Sequence, residues 1–190
     1  MRITGGAFRG RSLSTPTDTR VRPTSDKVRQ AIFNVLAHND FSSGFSLEGA
    51  RAADLFAGTG ALGIEALSHG ARFCLFVDDS AESRGLIRRN VEVLLLTGVT
   101  KIWRRDATQL GPLSAGGGGP FDLVFLDPPY RKQLVPLAMT SLVEGKWLAP
   151  AALLVAETAE DEPLPVSDVF RMLDDRVYGD TRVSFWKAPQ

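Results

Sequence analysis

The stretch Ala52-Ala53-Asp54-Leu55-Phe56-Ala57-Gly58-Thr59-Gly60-Ala61-Leu62-Gly63 decides how the rest of the chain is read. Its first five residues are a short, largely apolar run of the kind that forms a buried strand. Gly58, Gly60 and Gly63 then fall in the spacing G-x-G-x-x-G, opening a helix predicted over Ala61 to Ser68 that stops near Gly70. The alternation continues downstream. Arg72 to Val77 is a second strand ending on Asp78-Asp79, and Ser80 to Leu96 is a helix. Lys101 to Trp103 is a third strand ending near Asp106, and Phe121 to Leu126 a fourth, ending on Asp127-Pro128-Pro129-Tyr130. A helix around Leu134 to Val143 and a strand at Leu153 to Ala156 follow. Val169 to Leu173 and Val183 to Trp186 are closing strands, with Tyr178-Gly179-Asp180 as the turn between them. The acidic, proline-bearing segment Glu157 to Pro165 reads as a loop, and Gly116 to Gly119 as a flexible surface loop. Upstream, Val28, Ala31, Ile32, Val35 and Leu36 mark one apolar helix face, with Thr24 or Ser25 as N-cap and Asp26 in the first turn. Strands alternating with helices predict an α/β domain with a doubly wound, mostly parallel sheet.

Composition narrows the class. The chain has 190 residues, 44% hydrophobic and 23% charged, with a formal net charge of +0, as expected of one ordinary globular domain. A lone Cys74 allows no internal disulfide and no cysteine-based zinc cluster, which points to a reducing cytoplasm. No apolar run approaches the roughly 18 residues needed to span a bilayer, and Met1 to Gly6 has no signal-peptide character. The neutral total hides a division. Residues 1–30 hold seven Lys/Arg against two Asp/Glu, a net +5, which leaves −5 on the remaining 160 residues. A basic arm suits phosphate contacts, although charge alone fits a solvated tail equally well. Gly5, Gly6 and Gly10 between the arginines would let the backbone follow a ligand surface.

Ligands of such folds sit at the carboxyl ends of the strands. Those ends carry Gly58 and Gly60, Asp78, Asp106 and Asp127. A glycine turn lets the backbone approach a ligand, and a carboxylate at Asp78 could hold both ribose hydroxyls. This pair alone fits a dinucleotide oxidoreductase as well as an adenosyl-cofactor enzyme. Asp54 favours the latter, since a carboxylate there could face the cationic amino group of a methionyl moiety but would be ill placed beside a pyrophosphate. Asp127-Pro128-Pro129-Tyr130 is more specific. An exocyclic amine on a nucleobase is a poor nucleophile until two acceptors grip its hydrogens, and the Asp127 carboxylate and Pro128 carbonyl could do so. Consecutive prolines fix that carbonyl, and Tyr130 offers a face on which an extruded base can stack. Asp106 could accept from an adenine amino group or cap the next helix. Glu65 reads as a solvated or dipole-related residue. His38 and His69 have no partner at readable spacing, so no triad and no metal site are expected. Trp103, Trp147 and Trp186 read as core or hairpin residues.

With these segments assembled, the sequence resembles the RsmD type of 16S rRNA guanine-N2 methyltransferases. The resemblance rests on Met1-Arg2-Ile3 through Arg9-Gly10-Arg11, on Arg22-Pro23-Thr24-Ser25-Asp26-Lys27-Val28-Arg29, and on Ala31 to Leu36. It continues through Asp54 to Gly60, Asp127 to Tyr130, and Tyr178 to Thr181. It implies a Rossmann-like class I methyltransferase fold: a seven-stranded sheet with an antiparallel C-terminal strand and a short N-terminal basic extension. It divides the chain into an RNA-facing arm, 1–24, and a catalytic domain, 25–190. It also implies S-adenosylmethionine as cofactor, held by Asp54, Ala57, Gly58, Gly60, Asp78, Asp106 and Ala107, with Thr24 closing over it. Asp127, Pro128, Pro129 and Tyr130 would hold the target base, while Arg2, Arg9, Arg11, Arg22, Arg131 and Lys132 would face the RNA. The expected partner is 16S rRNA in a small ribosomal subunit or assembly intermediate, met by a cytoplasmic monomer without metal. Two features depart from the family pattern: the Gly116 to Gly119 insert, and Asp78-Asp79 in place of a single glutamate. The competing readings are a DNA or RNA adenine-N6 methyltransferase, a dinucleotide oxidoreductase, and a non-catalytic RNA-binding assembly factor with this fold.

Overall fold

The computed structural model describes residues 1–16, 25–38, 45–165 and 167–189. Seven strands form one sheet: β1 (Arg51–Leu55), β2 (Phe73–Val77), β3 (Thr100–Trp103), β4 (Phe121–Leu126), β5 (Leu148–Ala159), β6 (Arg171–Tyr178) and β7 (Thr181–Lys187). Their order is β3-β2-β1-β4-β5-β7-β6. The first five run parallel, and β7 is antiparallel to both of its neighbours, β5 and β6.

Side chains alternate between the sheet faces with a period of two, and each face has its own apolar cluster. Ala52, Phe76, Phe125 and Val155 pack with α1 (Asp26–His38), α2 (Ala61–Ser68) and α3 (Ala81–Val93). Leu55, Val77, Leu126 and Ala156 pack with α4 (Leu134–Glu144) and with Ala107 and Leu110 of the loop after β3. Ser25 caps α1 by accepting from the Val28 N–H at 3.2 Å. The alternative cap, Thr24, lies outside the described residues.

Several boundaries differ from the sequence expectation. β5 continues to Ala159 and absorbs Glu157, because Glu157 and Thr158 stay in register with Val183 and Arg182 of β7. The penultimate strand starts at Arg171 rather than Val169 and runs through Asp174, Asp175 and Arg176. Those charges suit an edge strand, where they discourage pairing with another chain, but they erase the apolar signal. α3 stops at Val93, and Leu95 then takes the left-handed conformation (φ 59°). Among the described residues no α-helix separates β3 from β4, so Asp106 caps a turn and not a helix. The glycine run before β4 is packed and not a free tether: a Cβ on Gly117 would lie 2.6 Å from Leu113 and 2.8 Å from Trp103.

Candidate active site

The three glycines after β1 have separate jobs. A Cβ on Gly58 (φ 56°) would meet nothing closer than the Phe56 carbonyl at 3.9 Å, so this glycine leaves an open face. Gly60 turns the chain into α2 with φ 78°, and its missing Cβ makes room for Phe76 at 3.1 Å. Gly63 lets α2 approach β2, since a Cβ there would sit 2.5 Å from Cys74 Sγ and from Phe76. The turn is reached through Phe56, itself at φ 57°, a conformation that costs a non-glycine residue energy. Nothing in the sequence signals that strain.

Carboxylates line the edge above these glycines. Register pairs Leu55 of β1 with Val77 of β2 and with Leu126 of β4. Asp78 and Asp127 therefore leave their strands level with each other, on either side of β1. Asp54 is 1% exposed, and its Oδ2 accepts from the Gly63 N–H at 2.9 Å. Its Oδ1 is buried with no hydrogen-bond partner among the described residues. Burial pushes its pKa well above the usual carboxylate value, repulsion from Asp127 and Asp78 adds to the rise, and the Gly63 N–H opposes it. Asp78 accepts from the Gly58 N–H at 2.8 Å and the Ser80 N–H at 2.9 Å, which ties the glycine turn to the start of α3. Burial raises its pKa too, and these two N–H groups hold the rise back. Asp79 is exposed, so Asp78 is the carboxylate that meets the glycine turn. Asp106 is exposed and accepts from the Thr108 N–H at 2.8 Å and from its hydroxyl at 2.7 Å, while Ala107 is buried.

At the end of β4, Pro128 is buried, Pro129 exposed, and Asp127 and Tyr130 half-buried. The Tyr130 hydroxyl donates to Glu157 and lies 3.1 Å from the Thr181 hydroxyl. Burial and the Glu157 carboxylate raise the phenol's pKa far above its ordinary value, so it remains a protonated donor. Glu157, which the sequence reading placed in a loop, is the carboxylate that anchors the Tyr130 hydroxyl. A signal was present, because it follows the apolar run of a parallel strand just as Asp78 and Asp127 do. Arg131 and Gln133 then take left-handed backbone conformations (φ 60° and 54°), and exposed Arg131 pairs with Asp161 at 3.1 Å. Lys132 is exposed.

The basic arm is folded onto the body. Ile3 and Leu13 are buried in the cluster of α1 to α3, while Arg2, Arg9 and Arg11 are exposed. Arg22 lies outside the described residues. Glu65 of α2, expected in solvent, is fully buried and holds the arm. It accepts from the Thr4 N–H at 2.8 Å, the Thr4 hydroxyl at 2.7 Å and the Gly5 N–H at 2.7 Å. The equally buried Arg29 of α1 approaches it at 3.5 Å and also pairs with Asp26 at 2.9 Å. His69 Nε2 stands 3.7 Å from the same carboxylate, so that histidine does have an acidic neighbour. Burial alone would raise the Glu65 pKa, but His69, Thr4 and the Gly5 N–H together hold it below the ordinary value. Gly5 and Gly6 serve this packing: a Cβ on Gly6 would fall 1.9 Å from the Ser68 carbonyl oxygen.

Residues 1–187 match the family described as "Conserved hypothetical protein 95". The chain is 37% identical over 189 residues to the Bacillus subtilis protein "Putative rRNA methyltransferase YlbH", covering 98% of each. It is 36% identical over 166 residues to the Escherichia coli "Ribosomal RNA small subunit methyltransferase D", covering 87% of this chain and 78% of that one. The chain belongs to the RsmD family. The solved structure "Putative methyltransferase yhhF" from Escherichia coli superposes with a TM-score of 0.82 at 29% identity, covering 100% of this chain and 98% of that one. The RsmD family match thus extends through the arm as well as the strand-end site. Among the described residues no helix is long and apolar enough to cross a membrane, and no His, Cys, Asp and Glu cluster could hold a metal ion.

Proposed function

We propose that this RsmD-family enzyme transfers a methyl group from S-adenosylmethionine to the exocyclic N2 of a guanine in 16S rRNA. It would act in the cytoplasm as a monomer, on a small ribosomal subunit or its assembly intermediate. Residues 1–24 form the RNA-facing arm and 25–190 the transferase domain. The observation that carries the reading is the row of Asp54, Asp78 and Asp127 at three neighbouring strand ends, close enough that two of them raise the pKa of the third.

The residues fit the cofactor. The partnerless Asp54 Oδ1 suits an ammonium group, and the open face of Gly58 leaves room for a ligand. Asp78 would hold the ribose and Ala57, Gly60, Asp106 and Ala107 would complete the cofactor's contacts, while Thr24, assigned to the cofactor by the family resemblance, lies outside the described residues. S-adenosylmethionine supplies an electrophilic methyl on a cationic sulfur. The Asp127 carboxylate and the Pro128 carbonyl accept the two hydrogens of the target amine and turn its lone pair outward. Asp127 then holds the proton that the amine must shed. Pro129 stiffens the turn, and Tyr130, anchored through its hydroxyl to Glu157 and Thr181, offers a fixed face for the extruded base. Arg2, Arg9, Arg11 and Arg22, with Arg131 and Lys132 near the base pocket, contact the phosphates. Orientation of this kind supplies up to roughly 7–11 kcal/mol in well-placed systems.

The test is methyl-labelled transfer to small subunits from a strain lacking this gene, followed by nucleoside mass spectrometry. N2-methylguanine is expected, and N6-methyladenine would overturn the assignment. Asp127→Ala should bind the cofactor normally by calorimetry but transfer no label. Transfer at the wild-type rate would remove Asp127 from the mechanism.

A further inference from the structure

Asn90 lies in α3, is 3% exposed, and is remote in sequence from every motif named above. Its amide is fully engaged. Oδ1 accepts from the Ser14 N–H at 2.7 Å, while Nδ2 donates to the Ser14 carbonyl at 3.2 Å and to the Thr59 carbonyl at 2.9 Å. Ser14 belongs to the basic arm, and Thr59 is the middle residue of Gly58-Thr59-Gly60. One side chain thus joins the element assigned to RNA and the element assigned to the cofactor. A weak contact from the Thr59 hydroxyl to Met1 Sδ at 3.7 Å runs alongside. An asparagine inside a helix is otherwise unfavourable, because its short amide competes with the backbone. Here the competition is resolved by giving both donors and an acceptor to two other segments.

We infer that Asn90 is a positioning residue that couples docking of the arm to ordering of the glycine turn. RNA and cofactor then strengthen each other's binding. This rests on the functional reading of the site given above. A ligand that fixes the Thr59 carbonyl fixes the Asn90 amide, and the amide in turn clamps both polar groups of Ser14's backbone. Coupling of this kind is reciprocal by thermodynamic necessity. RNA that holds the arm down therefore lowers the cost of ordering the turn.

The experiment follows amide exchange in the arm of the full chain with and without saturating S-adenosylmethionine, alongside calorimetry. The reporters are the Ile3, Gly10 and Leu13 amides, which donate to the Arg11, Ile3 and Met1 carbonyls at 3.0, 2.8 and 3.1 Å. In the wild type, the cofactor should slow their exchange. In Asn90→Ala that cofactor-dependent slowing should vanish, and cofactor affinity should fall about fivefold or more. A merely structural role would instead speed exchange equally in both states and leave the difference between them intact. That outcome, or a wild-type arm indifferent to bound cofactor, would overturn the coupling. Should Asn90→Ala fail to fold, Ser14→Pro removes the arm's N–H donor to Asn90 Oδ1 while keeping the Asn90 bonds to the Ser14 and Thr59 carbonyls, and the slowing should be smaller than in the wild type; an undiminished slowing would overturn the coupling. No calorimetric binding to the wild type would instead refute the cofactor assignment itself, and the coupling with it.

Discussion

Replacing Glu65 with alanine should detach the arm. The carboxylate is fully buried and takes three donors at 2.7–2.8 Å from Thr4 and Gly5, besides facing Arg29 at 3.5 Å. Charge-assisted hydrogen bonds contribute about 1.5–3 kcal/mol each, but Thr4 and Gly5 are half-buried and can turn to water once freed. The larger cost is the buried guanidinium, which loses the Glu65 carboxylate and keeps Asp26 and the Arg2 carbonyl among the described residues. Breaking a buried ion pair costs about 3–5 kcal/mol, a large share of the roughly 5–15 kcal/mol that holds a domain folded. At about 2–4 °C per kcal/mol for a chain of this size, Tm should fall by about 6–20 °C. Glu65→Gln, which keeps one acceptor oxygen, should lose less. Linkage fixes the pH dependence. The carboxyl is held below its ordinary value in the fold, so its stabilisation is present above the unfolded value of about 4.3 and is lost as pH falls through the folded one. The gap between wild type and Glu65→Gln should therefore be full near neutrality and narrow as pH falls below the unfolded value and through the folded one. Urea melts across that range and amide exchange at Ile3, Gly10 and Leu13 measure both effects. A loss under about 1 kcal/mol with the arm amides still protected would refute the reasoning, and would mean that burial of Ile3 and Leu13 with the Ser68 and Asn90 hydrogen bonds holds the arm without Glu65.

Asp54 carries the opposite sign. Its raised pKa means that its contribution to stability is complete below the unfolded value and is lost as pH rises through the folded one. Asp54→Asn should then melt higher than wild type at pH 7 while binding S-adenosylmethionine about 10- to 100-fold more weakly; lower stability at neutral pH would contradict this. Glu157→Ala leaves the Tyr130 hydroxyl with Thr181 and should cut kcat by about 100-fold with cofactor affinity unchanged, and Tyr130→Phe, which gives up both contacts, should lose at least as much. Equal kcat in Glu157→Ala and wild type would show that the anchor does not matter. Arg9→Glu with Arg11→Glu should weaken RNA binding and lower the salt slope by roughly 0.7 for each phosphate no longer neutralised, while an unchanged slope would make the arm a solvated tail.

The interior of the sheet was readable because β1, β2 and β4 are apolar runs bounded by glycine and aspartate, and burial on both faces permits little else. The edge was not. β6 is a strand because β7 pairs with it, and its Asp174, Asp175 and Arg176 carry no apolar signal. The strand-end carboxylates were readable for a topological reason, since parallel strands deliver their last residues to one edge. Glu65, Arg29 and Asn90 were opaque for the converse reason. Each looks like a solvated helix residue until it is known that the arm lies against α1, α2 and α3, with Arg29 on the Arg2 carbonyl, Thr4 61 residues from Glu65 and Ser14 76 residues from Asn90. Gly5 and Gly6 show the same limit: the local sequence suggests freedom, while the fold requires close contact with Ser68 and His69.

The distribution of charge follows from one constraint. Asp78 and Asp127 stand at the strand ends on either side of Asp54 and repel its carboxylate, which is costly at a desolvated edge. The chain has 22 Lys and Arg residues with which to neutralise them. Among the described residues it places none against Asp54 Oδ1, which has no hydrogen-bond partner there. Arg29 is the buried cation among those residues, and it is paired instead with Glu65 and Asp26, where it holds the arm. A built-in cation at Asp54 would relieve that repulsion, but it would fill the place proposed above for the ammonium group of the methyl donor. The repulsion is tolerable because stability comes from elsewhere, from the two apolar clusters and the arm's buried anchor. On this view the net charge of zero reflects two separate demands: a buried carboxylate oxygen kept open for a cationic cofactor, and arginines left exposed for phosphate.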